Sequence, residues 1–300
     1  MASDECKFVK PIIKWVGGKS QIIDKIISTF PKEIINYKEI FIGGGSVLLA
    51  LLSSDIKITG KIYAYDLNKI LINLYKNIQN NPNELYEKVI MFKKIYSNIT
   101  ENIINKNPNN IKEALKSKES YYYWIRKLFN KEKDNTLIKS AMFIFLNKLC
   151  FRGMYREGPN GFNVPFGHYK KIPEIINLEH LNKVSKLIKN VEFINMDFKK
   201  SLLNITDNDF VYLDPPYYPL NNKSFVSYTK NGFNLKTHNK LFELIKKINN
   251  FVLSNSNTQF ILDKFPETKY SITKINCRRA INCKNPASTV KEVIIKPIKI

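Results

Sequence analysis

One run of residues that could do chemistry is FVYLDPPYYPL, at positions 210–220. Residues 210–213 have the composition of a buried strand, and Pro215 and Pro216 can neither donate a ladder hydrogen bond nor continue the strand. We therefore predict that the strand ends at Asp214, which holds a carboxylate on a stiff turn. Ligands of open α/β sheets gather at the carboxyl ends of the strands, so this carboxylate is a candidate for chemistry. A polar turn with aromatic cover is the alternative interpretation.

A triple glycine, Gly43, Gly44 and Gly45, lies between a predicted strand and a predicted helix, where backbone can approach a ligand closely. The dinucleotide pattern GxGxxG/A would need glycine or alanine where Leu48 stands, so that pattern fails. Asp66 follows 21 residues after the last glycine, at the end of the next predicted strand, where a carboxylate can bind ribose hydroxyls. This spacing favours a ribose-bearing ligand without a pyrophosphate, and S-adenosylmethionine is one.

The segment GGKS, at positions 17–20, is not a phosphate-binding loop. The required first glycine would fall at Ile13, and no strand with a Walker-type acid accompanies the segment. Nucleotide hydrolysis is therefore excluded. By default Lys19 would be a solvated charge in a glycine turn, and a place beside a cofactor carboxylate is a hypothesis.

The charge balance indicates a polyanionic partner. The chain of 300 residues carries 48 Lys and Arg against 26 Asp and Glu, a net charge of +22, which favours nucleic acid. Enrichment in lysine, asparagine and isoleucine through AT-rich coding is the alternative. The charge therefore permits a nucleic-acid partner without specifying it.

Cysteine usage and hydropathy exclude several classes of protein. The four cysteines and three histidines form no CxxC pair and no ligand cluster, so we expect neither a disulfide framework nor a metal site. Such usage is typical of a reducing compartment, the cytoplasm or the nucleus. No apolar segment resembles a signal peptide or is long enough to cross a bilayer. We expect an intracellular protein that is neither secreted nor in a membrane.

The elements that must position these residues follow from the hydrophobic periodicity. Residues 21–30 predict a helix, EIFIGGGSVLLALL predicts a strand, a loop and a helix, and KIYAYDL predicts a second strand. Residues 70–150 predict helices rich in lysine, asparagine and tyrosine. The segment 150–171, CFRGMYREGPNGFNVPFGHYKK, predicts a long structured loop or hairpin. Alternation of strands and helices resumes after it.

The fold class predicted from this order is α/β. We expect a doubly wound, mostly parallel sheet with an inserted, mainly helical domain. The sheet domain would take residues 1–69 and 174–300. The insertion would take residues 70–173 and include the loop or hairpin at 150–171.

Six segments taken together resemble a known family. IIKWVGGK, EIFIGGGSVLL, YAYDLN, FRGMYREGPNGFNVPFGHYKK, YLDPPY and RRAINCKNPASTVKEVII occur in the order and character of the Dam-type DNA adenine methyltransferases. In that family the target-recognition domain is inserted before the catalytic motif. The resemblance spans nearly the whole chain and implies a Rossmann-like methyltransferase fold with S-adenosylmethionine as methyl donor and no metal.

The resemblance gives each part of DPPY a task. The Asp214 carboxylate and the Pro215 carbonyl would accept the two hydrogens of the adenine amino group, with Pro216 stiffening the turn, so that the nitrogen lone pair points at the methyl group. Asp214 would stay ionised as an acceptor. Tyr217 would supply a ring face for an adenine flipped out of duplex DNA.

The resemblance also implies a cofactor site. Asp66 would hold the ribose, and Ile40 stands where the family usually carries proline. The residues implied to line the site are Trp15, Gly17, Lys19, Phe41, Gly43, Gly44, Gly45, Ser46, Asp66, Asp197, Phe198 and Asp214. Asp197 and Phe198 would read the adenine of the cofactor, and ordinary core packing is the alternative for Phe198.

For DNA, the resemblance points to Lys14, Arg152, Arg156 and Pro165. Arginine forks suit guanine edges in the major groove, so Arg156 is our candidate base reader. Arg152 stands where well-known members carry asparagine, which bears on the recognised sequence; GATC is the leading expectation. Arg278 and Arg279 would contact backbone phosphate or lie on the surface.

Two other functions remain open at this point. The first is methylation of RNA or of a protein glutamine by the same chemistry, and the second is a non-catalytic DNA-binding relic. The insertion and the loop at 150–171 favour duplex DNA. A companion restriction endonuclease is an open question, and a monomer is the simplest expectation.

Overall fold

A computed structural model describes residues 7–219, 233–278 and 289–298. In chain order the helices are α1 (Ile23–Ile27), α2 (Ser46–Leu52), α3 (Lys69–Asn80), α4 (Pro82–Asn98), α5 (Ile111–Ala114), α6 (Lys118–Lys131), α7 (Leu137–Leu149), α8 (Leu178–Leu187), α9 (Phe198–Ser201), α10 (Leu235–Ile245) and α11 (Gln259–Lys264). The strands are β1 (Glu33–Ile34), β2 (Asn36–Glu39), β3 (Lys57–Ile58), β4 (Ile62–Asp66), β5 (Glu157–Gly158), β6 (Gly161–Phe162), β7 (Val191–Asn195), β8 (Asp209–Leu213), β9 (Phe251–Ser256), β10 (Tyr270–Arg278) and β11 (Thr289–Pro297).

The chain folds as two compact units. The described residues within Met1–Lys10, Lys19–Asn68 and Asn190–Ile300 form the sheet unit, and those within Pro11–Gly18 and Lys69–Lys189 form the helical unit. Residues 11–18 and 174–189, placed with the sheet by the sequence, pack within the helical unit. In the described part of the chain no helix is both long and apolar enough to cross a membrane.

The sheet unit is built on β8. Among the described residues, seven strands form one sheet in the order β10-β11-β9-β8-β2-β4-β7. β8 pairs in parallel with β2 and β9, β4 pairs in parallel with β2 and β7, and β11 runs antiparallel to β9 and β10. All five residues of β8 are buried, as a strand covered on both faces requires. The predicted α/β fold with a mostly parallel sheet is confirmed.

One face of this sheet is covered by α10. Leu241, Phe242 and Ile245 of that helix pack in one buried cluster with Val211 of β8 and Leu253 of β9. Burying one such side chain stabilises the fold by about 1.5–3 kcal/mol. This packing fixes the direction of β8 and so the position at which its carboxyl end emerges.

The helical unit has a core of its own. Helix α7 contacts α4 and α6, and the buried ring of Phe145 lies 5.6–5.9 Å, between ring centroids, from Phe92, Tyr96 and Tyr121. The helices begin where the sequence supplies caps: the side chains of Ser117 and Thr136 accept backbone N–H groups at the starts of α6 and α7. The helices predicted for residues 70–150 are present as α3 to α7.

Candidate active site

The carboxylate of Asp214 lies directly after β8 and is bound on one side. Its Oδ2 atom lies 2.8 Å from Nζ of Lys19, whose side chain is only 3% exposed. No donor among the described residues bonds to the buried Oδ1 atom. Burial raises the pKa of Asp214 to about 6, and the charge of Lys19 opposes that rise. The turn thus presents an acid with one occupied and one open oxygen.

Tyr217 lies in the same turn, with its ring held from two directions. Nζ of Lys19 lies 4.7 Å from the ring centroid, and the phenol hydroxyl donates to Oε2 of Glu292 at 2.8 Å. Burial raises the pKa of Tyr217 well above its ordinary value, so the hydroxyl remains a donor. Lys19 therefore contacts both functional groups of the DPPY turn.

Polar residues at the end of β9 anchor this turn. Ser254, Asn255 and Ser256 are all buried, and buried polar groups need hydrogen-bond partners. Oδ1 of Asn255 accepts the N–H of Tyr218 at 3.4 Å, and Oγ of Ser256 donates to the Tyr218 carbonyl at 2.8 Å. Pro215, which is buried, and the half-buried Pro216 restrict the turn itself. The acid is therefore fixed by the strand before it and by β9 after it.

The glycine loop joins β2 to α2. Gly43 and Gly45 have positive φ angles of 48° and 71°, which glycine adopts at little cost. Gly45 caps α2 and donates its N–H to the Ile42 carbonyl at 2.8 Å. Oγ of Ser46, the first residue of α2, accepts the backbone N–H of Lys19 at 3.1 Å. The loop thus holds the backbone of the lysine that pairs with Asp214.

Asp66, the last residue of β4, is bound to the same loop. Its Oδ2 atom accepts the N–H of Gly43 at 3.0 Å and its Oδ1 atom accepts the N–H of Asn68 at 2.8 Å. Burial raises the pKa of Asp66. A carboxylate has about four acceptor positions, so Asp66 retains capacity for a further donor such as a hydroxyl.

Asp197 and Phe198 both have structural partners. Asp197 caps α9 by accepting the N–H of Lys199 at 2.8 Å. The ring of Phe198 is 6% exposed and lies 5.9 Å from Phe41 and 5.7 Å from Phe233, measured between centroids. Both residues serve packing and capping here, and their roles in reading a cofactor remain predictions.

A buried acid that the sequence analysis did not select lies close to this region. Glu39 ends β2 immediately before the loop, and its Oε2 atom accepts the hydroxyl of Tyr37 at 2.7 Å. Burial raises the pKa of Glu39 to about 8, and the charges of Asp214 and Asp66 push it in the same direction. Burial thus favours the neutral form of Glu39. The sequence predicted a strand that begins at Glu39, whereas β2 ends there, so no local signal marked this residue as a strand-end acid.

Lys14, Trp15 and Gly17 belong to the helical unit. Asn147 of α7 is fully buried, accepts the N–H of Lys14 and donates to its carbonyl, both at 2.8 Å. The ring of Trp15 stacks on Tyr155 at 5.1 Å between centroids. Gly17 is exposed and has a φ angle of 83°. These contacts fix residue 14 against α7 and residue 15 against Tyr155.

Arg152 lies in the turn that follows α7. It is exposed and has a φ angle of 58°, in the left-handed region that few residues other than glycine adopt. The next residue, Gly153, packs so closely on the side chain of Lys14 that a Cβ atom would lie 2.6 Å from it. Strained backbone at an exposed arginine supports a functional role for it.

Arg156 and Pro165 flank the hairpin formed by β5 and β6. Nε of Arg156 donates to Oδ1 of Asn163 at 2.7 Å, and Arg156 is exposed. The hydroxyl of Tyr122 donates to the Val164 carbonyl at 2.8 Å, which binds the hairpin to α6. Pro165 is exposed, and its carbonyl accepts the N–H of Phe151 at 2.8 Å. The exposed Arg156 thus lies beside a hairpin that is hydrogen-bonded to α6.

Two predicted DNA contacts have no described side chain. Arg279 lies outside the described residues, and Arg278 ends β10 without a described side chain. Within residues 7–219, 233–278 and 289–298, no group of three or more His, Cys, Asp or Glu side chains could hold a metal ion.

The comparison with protein families gives the class. The profile of the D12 class N6 adenine-specific DNA methyltransferases matches residues 15–281, nearly the whole chain. The protein belongs to this family and is an adenine-specific DNA methyltransferase. The family resemblance and the enzyme class predicted from the sequence are confirmed.

Individual relatives agree with the family. The chain is 37% identical over 290 residues to the Type II methyltransferase M.MjaIII of Methanocaldococcus jannaschii, covering 92% of this chain and 94% of that protein. It is 29% identical to the DNA adenine methylase of Haemophilus influenzae, covering 94% of this chain and 91% of the relative. It is 28% identical to the DNA adenine methylase of Escherichia coli K12, covering 91% and 89%.

Proposed function

We propose that the protein transfers the methyl group of S-adenosylmethionine to the amino nitrogen of an adenine flipped out of duplex DNA. The observation that carries the proposal is the open Oδ1 atom of Asp214, buried at the end of β8 beside an occupied Oδ2 atom. A buried carboxylate oxygen without a partner costs free energy unless a ligand supplies a donor. An amino group is such a donor.

The residues around the glycine loop fit the methyl donor. Asp66 retains acceptor capacity for a ribose hydroxyl. Gly43 and Gly45 adopt positive φ angles readily and place no side chain in the loop. Phe41, Ser46, Asp197 and Phe198 would complete this side of the site. Lys19 is proposed to act on Asp214, to which it is bound. When bound, the donor would supply a methyl group on a positively charged sulfur, with S-adenosylhomocysteine as the product and one proton lost from the adenine amino nitrogen.

Asp214 would act on the adenine as a fixed acceptor. The lone pair of the adenine amino nitrogen is delocalised into the ring, which makes the nitrogen a poor nucleophile. Accepting one amino hydrogen at Oδ1 of Asp214 and the other at the Pro215 carbonyl would localise that lone pair and direct it. With a pKa of about 6, Asp214 is ionised at neutral pH and carries the charge that this task needs.

Tyr217 would bind the ring of the flipped adenine. Stacking on an aromatic ring offsets part of the unpairing cost, which is a few kcal/mol. The ring of Tyr217 is held by its contacts with Lys19 and Glu292, so stacking would cost little side-chain entropy. Trp15 and Gly17 are proposed to line the cofactor site by family resemblance alone.

Sequence recognition is assigned to the helical unit. We propose Arg156 as base reader, supported by its exposed guanidinium on the β5–β6 hairpin, and Lys14, Arg152 and Pro165 as further DNA contacts. Arg278 and Arg279 are proposed to contact phosphate. GATC is the proposed target. Replacing Arg156 by alanine should lower discrimination at one base pair by about 10-fold or more, since a bidentate contact contributes roughly 1–3 kcal/mol.

One experiment tests the reaction. The protein is incubated with methyl-labelled S-adenosylmethionine and unmethylated duplex DNA, and N6-methyladenine is then mapped by sequencing. Label confined to adenine in one short sequence supports the proposal, and that sequence decides the target. Label in RNA or in a protein glutamine, or salt-sensitive DNA binding without transfer, would overturn it.

Two relatives are named Type II methyltransferases, and we propose a companion restriction endonuclease as the partner to search for. Cleavage of unmethylated but not methylated DNA by a neighbouring gene product would support this partner. The monomeric state stays a prediction, which light scattering would test. The expected place in the cytoplasm or nucleus stays a prediction as well.

A further inference from the structure

We infer that Glu292 is the residue that positions Tyr217 for base stacking. Glu292 lies on β11, which is separated from β8 by β9, yet its Oε2 atom accepts the hydroxyl of Tyr217 at 2.8 Å. It pairs with Ser256 of β9, the residue whose hydroxyl bonds to the Tyr218 carbonyl. The paired residues Glu292 and Ser256 therefore anchor Tyr217 and Tyr218, respectively. This inference rests on the proposed function, because it assigns a cause to the orientation of the stacking ring.

The hydroxyl of Tyr217 needs an explanation of its own. Stacking uses the face of an aromatic ring, and a phenylalanine would offer the same face. The structure gives the hydroxyl a carboxylate partner, and a hydrogen bond to a charged group is stronger than one between neutral groups. The carboxylate is thus the group that makes tyrosine preferable to phenylalanine at this position.

Glu292 also lies near a thiol on the adjacent strand. Burial and the charge of Glu292 raise the pKa of the buried Cys277 thiol on β10 to about 11. On the other side of the phenol ring, the Lys19 ammonium lies 4.7 Å from the ring centroid while bound to Asp214. The ring of Tyr217 therefore lies between the Lys19 ammonium, which contacts Asp214, and the Glu292 carboxylate on β11. Loss of the anion releases the hydroxyl end of the ring.

A purely structural role makes a different prediction. In that case the Tyr217–Glu292 bond would only add stability between β8 and β11, and its loss would lower the melting temperature without affecting one substrate more than another. A positioning role predicts a loss that depends on the cost of unpairing the adenine. A mispaired adenine is cheaper to extrude, so it should partly restore a variant with a badly held ring.

The experiment compares Glu292→Ala, Glu292→Gln and Tyr217→Phe in the full chain. Turnover is measured on a duplex with a paired target adenine and on one with a mispaired target adenine. Tyr212→Phe is the matched control, because its hydroxyl makes a similar bond, 2.9 Å to Ser254 of β9, in the buried strand before the turn. Thermal unfolding of every variant is measured first.

We expect Glu292→Ala and Tyr217→Phe each to lower kcat on the paired duplex by about tenfold, with KM for S-adenosylmethionine unchanged. The double variant should be no worse than either single one, since both remove the same bond. Glu292→Gln, which keeps an acceptor oxygen, should retain most activity. The mispaired duplex should restore Glu292→Ala several-fold but leave the ratio of the two duplexes for Tyr212→Phe at the wild-type value.

Three results would overturn the inference. These are a Glu292→Ala enzyme with wild-type kcat, additive losses in the double variant, and a loss that the mispaired duplex leaves unchanged. If Glu292→Ala does not fold, Glu292→Gln and Tyr217→Phe still give the double-variant comparison. An inactive wild-type protein overturns the proposed function, whereas an active wild type with a silent Glu292→Ala overturns this inference alone.

Discussion

The two ends of β8 carry the same kind of ion pair, and they differ in how completely each carboxylate is bound. Asp209 begins the strand and lies 3.0 Å from Nζ of Lys38, and Asp214 follows its last residue and lies 2.8 Å from Nζ of Lys19. Both acids and both lysines have side chains mostly withdrawn from solvent. The strand thus offers an internal comparison of two buried acid–lysine pairs.

At Asp209 three donors bind one carboxylate oxygen, Oδ2. Its Oδ2 atom also accepts the N–H and the hydroxyl of Thr206, at 2.7 and 2.9 Å, and Lys38 donates further to the Asn204 carbonyl at 2.9 Å. Burial opposes ionisation of Asp209, but the bonds from Thr206 and Lys38 outweigh it and lower its pKa. At Asp214 the Oδ1 atom is left open and burial raises the pKa to about 6. The three donors at Asp209 support a structural role for that pair, and the open oxygen of Asp214 supports the proposed contact with adenine.

The largest effect on the methyl-transfer rate should follow from removing Asp214, the acid with an open oxygen. Asp214→Ala should lower the methyl-transfer rate by about 10²- to 10³-fold or more, the cost of losing one preorganised electrostatic contact. DNA binding should change little, whereas the unfolding midpoint should fall, because Lys19 is only 3% exposed and is left buried without its carboxylate. Single-turnover transfer and DNA titration measure the two effects. Turnover close to that of the wild type would contradict the mechanism.

Removing the acid at the other end of β8 should lower stability without lowering the methyl-transfer rate. Asp209→Ala leaves Lys38 buried without its carboxylate, which should lower the free energy of unfolding by about 3–5 kcal/mol. Folded protein should keep its methyl-transfer rate, since Asp209 lies at the amino end of the strand. Denaturant unfolding followed by an assay of the folded fraction measures both. Lost activity at unchanged stability would erase the distinction between the two ends.

The sequence predicted this strand and its acid because both signals are local. A hydrophobic run and two prolines mark where β8 ends, and KIYAYDL likewise marks β4, which ends at Asp66 as expected. β1 and β3, of two residues each, are too short to leave a period in the sequence and were not predicted. The longer strands could thus be predicted from the sequence, and the two-residue strands could not.

The partners of the acid were not predictable in the same way. The residues alone made Lys19 a solvated charge by default, and only the family resemblance placed it in the cofactor site; it is buried and pairs with Asp214. Glu292 was not among the predicted site residues. Glu292 meets Tyr217 across 75 residues of sequence because β11 inserts between β9 and β10, and this strand order has no local signature. The sequence pattern therefore predicts the DPPY motif, whereas the order of the strands in the sheet determines which side chains contact it.

The pH dependence of the methyl-transfer rate should differ from that of folding stability, because Asp214 controls the rate and Asp209 contributes to stability. Transfer needs Asp214 ionised, so the rate should be full well above pH 6 and fall about tenfold per unit below it. The pKa of Asp209 is lowered by folding, so its stabilisation is complete above an unfolded value of about 3.9 and is lost below that. Between about pH 4 and pH 6 this pair still stabilises a protein with declining activity. Parallel pH series of rate and unfolding would refute this if both fell together.

The smallest effect expected is a displacement of that rate profile. Lys19 lowers the pKa of Asp214, so Lys19→Met should move the acidic limb of the rate profile upward by about one pH unit or more. The loss of rate should accordingly be larger at pH 6 than at pH 8, where Asp214 is still mostly ionised. Lys38→Met is the matched control, because it removes the corresponding cation at the other end of β8 and should lower stability without moving the limb. An unshifted limb in Lys19→Met would mean that the bond between Lys19 and Asp214 is structural, like the bond between Lys38 and Asp209, and that the open oxygen alone distinguishes the two ends.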